Sequence, residues 1–338
     1  MTVSVVIPHR NRDDLLAAVL DSLDLQRLPP GAGLDVIVAD NGSTDSSLSV
    51  ARERGARTLP LGTNRGVSYA LNRGIEAARG EWIVLLNNDV DLGPRWISTL
   101  LHGAHEADAW FATGKVYSGT RNGLLDGAGD AACRGGVAWR LGHGKPDGAA
   151  FSEPRPTFFP SATASLFRRD FFMRAGLFDE SFFAYLEDVE LGMRAARLSL
   201  AGVYVPDAVS WHLGSETYGA WSDRTVAWIT RHQLLILAKH YSEAMLLRFG
   251  PAVAVAQVLW AALSVSRGRF APWLQGLRLG AADCRAHWRP ADRPGDSGLA
   301  AALEAGEAEI VRCQDAGGWD TFWKWYFRFV RPGRGRSA

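Results

Sequence analysis

Short apolar runs alternate with longer segments of helical periodicity near the start of the chain. The predicted strands are Val3–Pro8, Leu34–Ala39, Arg57–Leu61 and Glu81–Leu86, and the predicted helices are Asp13–Leu25, Ser46–Arg54 and Gly66–Ala78. Strands that alternate with helices in this way predict a mostly parallel α/β sheet built from βαβ units and flanked by helices. The strands are almost continuously apolar, which indicates that both faces of the sheet are covered.

The pattern changes after about residue 110. Gly119–Gly148 is rich in Gly, Asp and Arg and predicts loops with short strands. Helical periodicity returns at Phe167–Arg174 and Glu187–Leu198, and Val203–Val205 predicts a short strand ended by Pro206. Beyond Arg224 the chain is helical in character, with a Pro/Gly-rich linker near 290–298. We therefore expect an α/β catalytic domain over 1–240 and a helical C-terminal region over 241–338.

Composition narrows the class of protein. The 338 residues are 47% hydrophobic and 22% charged, a balance that excludes a wholly disordered chain. A net charge of +1 excludes a globally basic nucleic-acid coat. Three widely spaced cysteines argue against a disulfide framework or a Cys-rich zinc site and favour a reduced cytosolic setting.

No targeting or membrane-spanning segment is predicted. The amino terminus runs directly into a strand, without a basic-then-apolar signal segment. The longest weakly polar stretch, Pro251–Ser266, contains Gln257 and is shorter than the roughly 18 apolar residues that a spanning helix needs. We therefore expect a cytoplasmic protein, with the inner face of the cell membrane as a second setting.

Polar residues follow the first two predicted strands, where ligands of parallel sheets bind. The first strand ends in Pro8-His9-Arg10-Asn11-Arg12, which lacks the GxGxxG pattern of dinucleotide-binding folds. The second ends in Asp40-Asn41-Gly42-Ser43-Thr44-Asp45. That segment fits a turn with a helix N-cap, and it equally fits a carboxylate that accepts hydrogen bonds from a nucleobase or a ribose.

An acidic residue follows the fourth strand, in Asn87-Asn88-Asp89-Val90-Asp91. A carboxylate at the end of an apolar strand needs a cation or several donors around it. Asp89 could therefore hold Mg²⁺ or Mn²⁺, ions that retain open positions for substrate phosphates. The alternative is a turn before a helix that Pro94 opens.

Two later segments complete the candidate chemistry. Glu187 and Asp188 precede a predicted helix, whose free N–H groups favour an ionised carboxylate and hence a base at neutral pH. The alternative is a capped helix with solvated acids. His212 is a candidate only if the fold returns it to the face that carries Asp89.

Taken in order, these segments resemble the family 2 inverting glycosyltransferases of the GT-A fold, in particular their rhamnosyltransferase-like branch. The resemblance covers about residues 3–215 and rests on VVIPHRNR, VADNGSTD, LGTNRGVSYALNRGIEAARGEW, LLNNDVD, AGLFDESFFAYLEDVELGMRA and VPDAVSWHLGS. It implies a Rossmann-like, mostly parallel sheet with a C-terminal helical extension. Asn87-Asn88-Asp89 resembles a degenerate form of the family's Asp-x-Asp metal motif.

The resemblance also implies a role for each candidate residue. Asp188 would be the catalytic base, and Asp89 and His212 would be ligands of Mg²⁺ or Mn²⁺. The remaining implied contacts are to the donor, from Pro8, Arg10, Arg12, Asp40, Asn41, Arg65, Asn87 and Asn88, and on the acceptor side, from Glu187 and Trp211. Arg12 and Arg65 would lie near the base or the diphosphate.

The expected reaction is sugar transfer from a dTDP-, UDP- or GDP-linked donor to a hydroxyl of a glycan or lipid-linked acceptor. A metal and a basic group would stabilise the departing diphosphate while one carboxylate deprotonates the acceptor. One base without a nucleophilic carboxylate implies inversion. The resemblance favours dTDP-rhamnose as the donor. The alternatives are a sugar-phosphate nucleotidyltransferase and a non-catalytic nucleotide-sugar-binding subunit.

The C-terminal third has a different charge from the rest of the chain. Residues 245–338 contain 13 Lys/Arg and 8 Asp/Glu, a net charge of +5, against −4 for residues 1–244. The tail, Trp319–Arg336, mixes aromatic and basic residues. These features suit a helical surface on an anionic leaflet, and they also suit helices that pack on the catalytic domain or form a homo-oligomer interface. No nucleic-acid-binding motif accompanies the charge.

Overall fold

A mixed β-sheet with helices on both faces forms the centre of the protein. The structure, a computed structural model, describes residues 1–119, 123–213, 221–288 and 291–331. The strands are β1 (Thr2–His9), β2 (Gly33–Asp40), β3 (Arg57–Pro60), β4 (Trp82–Leu86), β5 (Val90–Leu92), β6 (Phe111–Ser118), β7 (Leu125–Gly127), β8 (Asp130–Ala132), β9 (Ala138–Arg140), β10 (Arg155–Thr157), β11 (Ala164–Arg168) and β12 (Gly202–His212). The helices are α1 (Asp13–Asp24), α2 (Ser47–Glu53), α3 (Val67–Ala77), α4 (Trp96–Glu106), α5 (Arg169–Ala175), α6 (Glu187–Arg197), α7 (Asp223–His240), α8 (Glu243–Ser266), α9 (Phe270–His287), α10 (Asp296–Gly317) and α11 (Thr321–Phe329).

Parts of four sequence predictions lie outside the described residues. These parts are residues 120–122 of the Gly119–Gly148 segment, Gly214 and Ser215 of the His212 motif, Pro290 of the predicted linker and residues 332–336 of the basic tail. Within the described ranges, each predicted strand and helix of the first hundred residues is present, with ends that differ by a few residues at most.

The sheet is mostly parallel, as predicted. Its strand order is β10-β12-β6-β11-β4-β1-β2-β3, with β5 paired to β12 and β7 paired to β6. Strands β1, β2, β3 and β4 are mutually parallel, and β6 is parallel to β12. Strand β11 is inserted antiparallel between β4 and β6. The carboxyl ends of β1, β2, β4 and β12 therefore lie at one edge of the sheet.

Both faces of the sheet are buried, because alternate residues of β1 enter different cores. Val5 and Ile7 pack with helices α1 and α4, whereas Val6 packs with α3, α5 and α6. Side chains alternate between the faces of a strand, so a strand covered on both sides is apolar throughout. This double burial explains why these strands appear as continuous apolar runs in the sequence.

Beyond residue 110 one prediction needs correction and another is confirmed. Strand β12 is not ended by Pro206 but continues to His212, with a shift of register between Val205 and Val209. An irregularity of this kind accommodates proline, which cannot donate a ladder hydrogen bond. The Gly119–Gly148 segment does contain short strands, and most of its described residues from Leu125 to Val137 are buried.

The C-terminal helices pack on the rest of the protein through buried polar contacts as well as apolar ones. Glu307 of α10 is fully buried, forms a 2.7 Å ion pair with Arg134 and accepts a hydrogen bond from the Tyr326 hydroxyl of α11. Arg197 of α6 forms a 2.6 Å ion pair with Asp296 at the start of α10. The inner sides of α10 and α11 are therefore covered by the protein itself.

Helix α8 corrects the expectation that no segment is long and apolar enough to span a membrane. Among the described residues it meets that criterion by length and composition, with a mean hydropathy of 1.6. The apolar stretch expected from the sequence starts at Pro251 and is interrupted by Gln257. The helix instead begins at Glu243 and contains both Pro251 and Gln257.

Candidate active site

A cavity of about 510 Å³ opens at the carboxyl edge of the sheet. Its walls come from the residues after β1 and β4, the β7–β9 segment, the loop before α6 and the end of β12. Nine of the sequence-predicted residues line it, namely Pro8, Arg10, Asn41, Asn87, Asn88, Asp89, Glu187, Asp188 and His212. The topology thus brings residues from distant parts of the chain into one cleft.

Asp89 and His212 lie side by side because β5 pairs with β12. Val90 is directly opposite His212 in that pair, and the Leu213 N–H donates to the Asp89 carbonyl at 3.1 Å. The His212 Nε2 atom is 3.2 Å from an Asp89 carboxylate oxygen. His212 therefore does return to the face that carries Asp89, as its candidacy required.

Asp126 of β7 holds the other side of the His212 ring. The His212 Nδ1 atom is 2.8 Å from an Asp126 carboxylate oxygen. Burial lowers the pKa of His212, but the hydrogen bonds to the two carboxylates outweigh it and raise the pKa to about 9. Burial likewise raises the pKa of Asp126, yet Arg140, His143 and His212 hold it well below its usual range.

Arg140 of β9 connects this acidic pair to the other side of the cavity. Its guanidinium is 2.6 Å from Asp126 and 3.8 Å from Asp130, and it donates to the Thr163 hydroxyl at 3.0 Å. Its positive charge also acts on Asp188 and lowers the pKa of that carboxyl. One cation therefore acts on three carboxylates, those of the buried Asp126 and Asp130 and that of the half-buried Asp188.

Asp188 lies in the first turn of α6, where two backbone N–H groups fix its carboxylate. The N–H groups of Val189 and Ala162 donate to it at 2.8 and 3.2 Å. A position at the start of a helix predicts that the Asp188 carboxyl is ionised. Instead, burial outweighs these donors and raises the pKa of Asp188. A raised pKa brings a carboxylate base closer to neutral pH, where general bases are most effective.

Glu187 is buried beside Asp188, and one of its carboxylate oxygens has no hydrogen-bond partner among the residues that the structure describes. Burial, followed by the charge of Asp188, raises its pKa to about 8. Asp130 is similar: burial raises its pKa to about 7 against the opposing effect of Arg140. At neutral pH Glu187 therefore carries a proton that it can donate to a ligand oxygen in the cavity.

The loop before Asp188 is held in an uncommon conformation. Tyr185 and Leu186 have φ angles of 70° and 66°, which non-glycine residues rarely adopt. The His232 Nδ1 atom is 2.8 Å from the Tyr185 carbonyl, and the Val67 N–H donates to the Phe183 carbonyl at 2.7 Å. Contacts from α7 and α3 thus fix the position of the turn that precedes Asp188.

The candidate donor-side residues differ in what their side chains do. The Asn41 amide donates to the Gly66 carbonyl at 2.9 Å and accepts from the Arg65 N–H at 3.0 Å, so it organises the loop before α3. The Asn88 amide donates to His9 at 2.9 Å. Burial lowers the pKa of His9 to about 4, so this imidazole is neutral at pH 7.

Four candidates lie outside the cavity lining: Arg12, Asp40, Arg65 and Trp211. The buried Asp40 carboxylate accepts from the Ser43 N–H at 3.2 Å, which is the turn interpretation of that segment. Arg65 stacks over Tyr69, with 3.7 Å between the guanidinium carbon and the ring centre. Trp211, which directly precedes His212 on β12, stacks on Tyr117 of β6.

Sequence reasoning missed Asp126, Asp130 and Arg140. They lie on three-residue strands, which are too short to produce a periodic pattern. The sequence does offer one signal for these residues, because several charged side chains occur within the Gly-rich segment Gly119–Gly148.

The family model for "Glycosyl transferase family 2" matches residues 4–176, which is more than half of the chain. The chain belongs to glycosyl transferase family 2. As a family 2 glycosyltransferase, it is an enzyme that transfers sugars.

Two bacterial relatives of this glycosyltransferase are similar in sequence. It is 33% identical over 237 residues to an N-acetylglucosaminyl-diphospho-decaprenol L-rhamnosyltransferase of Mycobacterium tuberculosis, an alignment that covers 63% of this chain and 74% of the relative. It is 29% identical over 204 residues to the O-antigen biosynthesis protein RfbC of Myxococcus xanthus, covering 57% of this chain and 16% of that one.

Solved glycosyltransferase structures share the fold of this family 2 enzyme. The GalNAc-T7 structure with UDP, GalNAc and Mn²⁺ matches with a TM-score of 0.59 and 15% identity, covering 85% of this chain and 58% of that one. The TarS structure of S. aureus matches with a TM-score of 0.54 and 16% identity, covering 96% and 55%. The chain thus spans little more than half of either structure, and at these identities the likeness shows the GT-A fold alone.

Proposed function

We propose that the protein is a metal-dependent inverting glycosyltransferase that moves a sugar, rhamnose in our proposal, from a nucleotide-diphosphate donor to a hydroxyl of a lipid-linked or glycan acceptor. The observation that supports this most strongly is the single cavity that contains both the Asp89–His212 pair and Asp188. Had these groups been on different sides of the molecule, they could not act on one substrate.

The Asp89–His212 pair fits a divalent ion. A carboxylate oxygen and an imidazole nitrogen 3.2 Å apart suit two adjacent ligands of Mg²⁺ or Mn²⁺. Asp126 accepts a hydrogen bond from Nδ1–H, so Nε2, which faces Asp89, is the ring nitrogen that would bind the ion once the ion displaces its proton. Among the described residues no group of three or more His, Cys, Asp or Glu could by itself hold a metal, so we assign the other positions to the diphosphate and water. When bound, the ion would stabilise charge on the departing diphosphate.

Asp188 accepts the proton of the acceptor hydroxyl in this proposal. Its carboxylate is fixed by the Ala162 and Val189 N–H groups, so little reorganisation precedes proton transfer. The neutral carboxyl of Glu187 can donate a hydrogen bond to an acceptor or sugar oxygen. Attack from the side of Asp188 with departure toward Asp89 is a single displacement, which inverts the configuration at C1.

The substrate assignment rests on the relatives. The L-rhamnosyltransferase similarity covers 74% of that protein, whose name specifies a polyprenol-linked acceptor. We infer a dTDP-rhamnose donor and an acceptor of the same chemical class, a sugar diphosphate on a polyprenol, with UDP- and GDP-sugars as competing donors for the test.

The experiment measures product formation and the anomeric configuration of the product by NMR, with each donor and with Mn²⁺, Mg²⁺ or EDTA. Asp188→Asn should lower kcat by about 10²–10⁴-fold while leaving dTDP binding nearly intact. Asp207→Asn, an exposed acid on β12, is the matched control and should retain full turnover.

Specific outcomes would contradict the proposal. Normal turnover in Asp188→Asn would exclude it as the base, and retention of configuration would exclude a single displacement. If the donor binds but is neither transferred nor hydrolysed under any metal condition, the protein would instead be a non-catalytic nucleotide-sugar-binding protein.

A further inference from the structure

Helix α8 is apolar around its whole circumference, but the residues that the structure describes cover only one of its sides. Between Arg248 and Arg267 its sequence contains no charged residue. Only 22% of the residues in its most apolar window are buried. A helix that is hydrophobic all round is normally buried in a core or in a lipid phase. The uncovered side of α8 therefore needs an explanation.

Two apolar stripes lie on opposite sides of α8. The inner stripe is buried and consists of Met245, Phe249, Ala252, Ala256, Trp260 and Ser264. The outer stripe includes Leu247, Val258 and Val265, which are 79%, 67% and 50% exposed. At 100° per residue the two sets point in nearly opposite directions. Both stripes run along most of the helix.

The inner stripe ties both halves of α8 to the protein. In the first half, Gly135 lies so close to Ala252 and Ala256 that an added Cβ would be 2.6 Å from the Ala256 methyl group. In the second half, the Trp260 indole N–H donates to the Thr230 hydroxyl of α7 at 2.8 Å. If α8 crossed a bilayer it would lose these contacts. With the contacts kept, α8 lies along the protein surface and exposes its outer stripe.

Aromatic and basic side chains are also exposed on the helices that contact α8. On α11, which packs against α8, Trp325 and Phe329 are exposed and stack on each other, next to the exposed Lys324 and Arg328. On α9, the other neighbour, Phe270 is exposed at the first position of the helix. Apolar and aromatic residues bordered by cations are the composition of interfacial helices.

The charge of these segments is strongly positive. Over 243–288 and 319–331 there are eight basic residues, Arg248, Arg267, Arg269, Arg278, Arg285, Lys324, Arg328 and Arg331, and three acidic ones. Two acidic and two basic residues are ion-paired with partners outside these segments. The pairs are Asp283 with Arg231, Asp320 with Lys145, Arg248 with Glu304 and Arg269 with Asp223. The remaining acidic residue is Glu243, at the first position of α8.

We propose that the outer stripe of α8 and the exposed aromatic residues of α11, together the α8 face, bind the surface of a bilayer that contains anionic lipid. Anionic headgroups complement the basic border, whereas two copies of the chain meeting through the α8 face would bring like charges together. The inference does not depend on the proposed function, although a bilayer surface is where a polyprenol-linked acceptor would be met.

Sedimentation of the full chain with vesicles tests this proposal. We expect binding to mixed phosphatidylglycerol–phosphatidylcholine vesicles at low salt, and weaker binding to phosphatidylcholine alone or at high salt, where charges are screened. Leu247→Asp combined with Val258→Asp should weaken binding at least about tenfold, because charged groups replace apolar surface that enters the interface. The matched control is Met173→Asp on α5, a residue that is 78% exposed and distant in sequence from the α8 face.

Each outcome of these experiments supports or contradicts binding of the α8 face to an anionic bilayer. Circular dichroism establishes first that both variants fold. Absence of wild-type binding to the anionic vesicles would overturn the proposal, as would equal binding by the α8 double variant. A wild-type dimer in lipid-free ultracentrifugation that the double variant abolishes would assign the face to a second copy instead.

Discussion

The Nδ1 atom of His212 lies 2.8 Å from a carboxylate oxygen of Asp126. These residues come from β12 and β7, two strands that both pair with β6. Because Nδ1 is engaged in this way, Nε2 is the ring nitrogen that faces Asp89. Asp126 is thus a positioning residue: it orients the imidazole, and we expect its loss to affect metal binding before chemistry.

Asp126→Asn should weaken Mn²⁺ binding by about 10–100-fold, the usual cost of losing a carboxylate behind a ligating histidine. Calorimetric titration of Mn²⁺ in the presence of dTDP measures this directly. At saturating Mn²⁺ the kcat should recover toward the wild-type value. A loss of kcat with unchanged Mn²⁺ affinity would show that Asp126 acts elsewhere.

Arg140→Gln should move the acid side of the pH–kcat profile to higher pH. Arg140 lowers the pKa of Asp188, so its removal raises that pKa and a higher pH is needed to ionise the base. Arg140→Lys restores the charge and should return the profile toward that of the wild type. An unchanged pH–kcat profile in Arg140→Gln would show that the charge of Arg140 does not affect the ionisation of the base.

Glu187→Gln should flatten the pH dependence of stability. With a pKa raised from 4.5 to about 8, folded Glu187 keeps a proton that the unfolded chain releases, so the free energy of unfolding falls as pH rises between these values. Removing the titration should stabilise the variant relative to wild type at about pH 8, by up to about 4 kcal/mol.

Urea denaturation at about pH 5 and about pH 8 measures this difference. The wild type should lose more stability between the two conditions than Glu187→Gln does. Identical pH dependence in the two proteins would show that Glu187 is ionised in the folded state.

Gly66→Ala should destabilise the protein by about 2 kcal/mol or more. Gly66 has a φ of 94°, and an added Cβ would lie 2.5 Å from the Phe183 carbonyl oxygen, in the loop that leads to Asp188. Gly62→Ala is the matched control, with a φ of 80° and nothing within 4 Å of the added atom. It should show only the conformational cost, about 1 kcal/mol. Equal losses in urea denaturation would mean that the contact with Phe183 is unimportant.

The candidate site could be predicted in part, because some of its residues follow strongly patterned strands. Asp89 follows a fully buried strand and Asp188 opens an amphipathic helix, and both positions are set by local periodicity. Asp40 followed the same rule but bonds to Ser43 in its own turn. A position after a strand predicts which edge of the sheet a residue occupies, and not which group its side chain will bind.

The residues that complete the cavity depend on long-range pairing. His212 reaches Asp89 because β12 continues past Pro206 and pairs with β5. Arg140 reaches Asp126 and Asp130 through short strands with no periodicity of their own.

By itself, the amino-acid sequence determined the alternation of strands and helices, the parallel sheet, the family and the acidic residues at the strand ends. These follow from side-chain periodicity and short motifs, which are local properties of the chain. Only the tertiary structure decided that β11 inserts antiparallel, that His212 is shared by Asp89 and Asp126, and that Asp188 has a raised pKa. Strand pairing and desolvation depend on residues far apart in the chain, so no local pattern contains them.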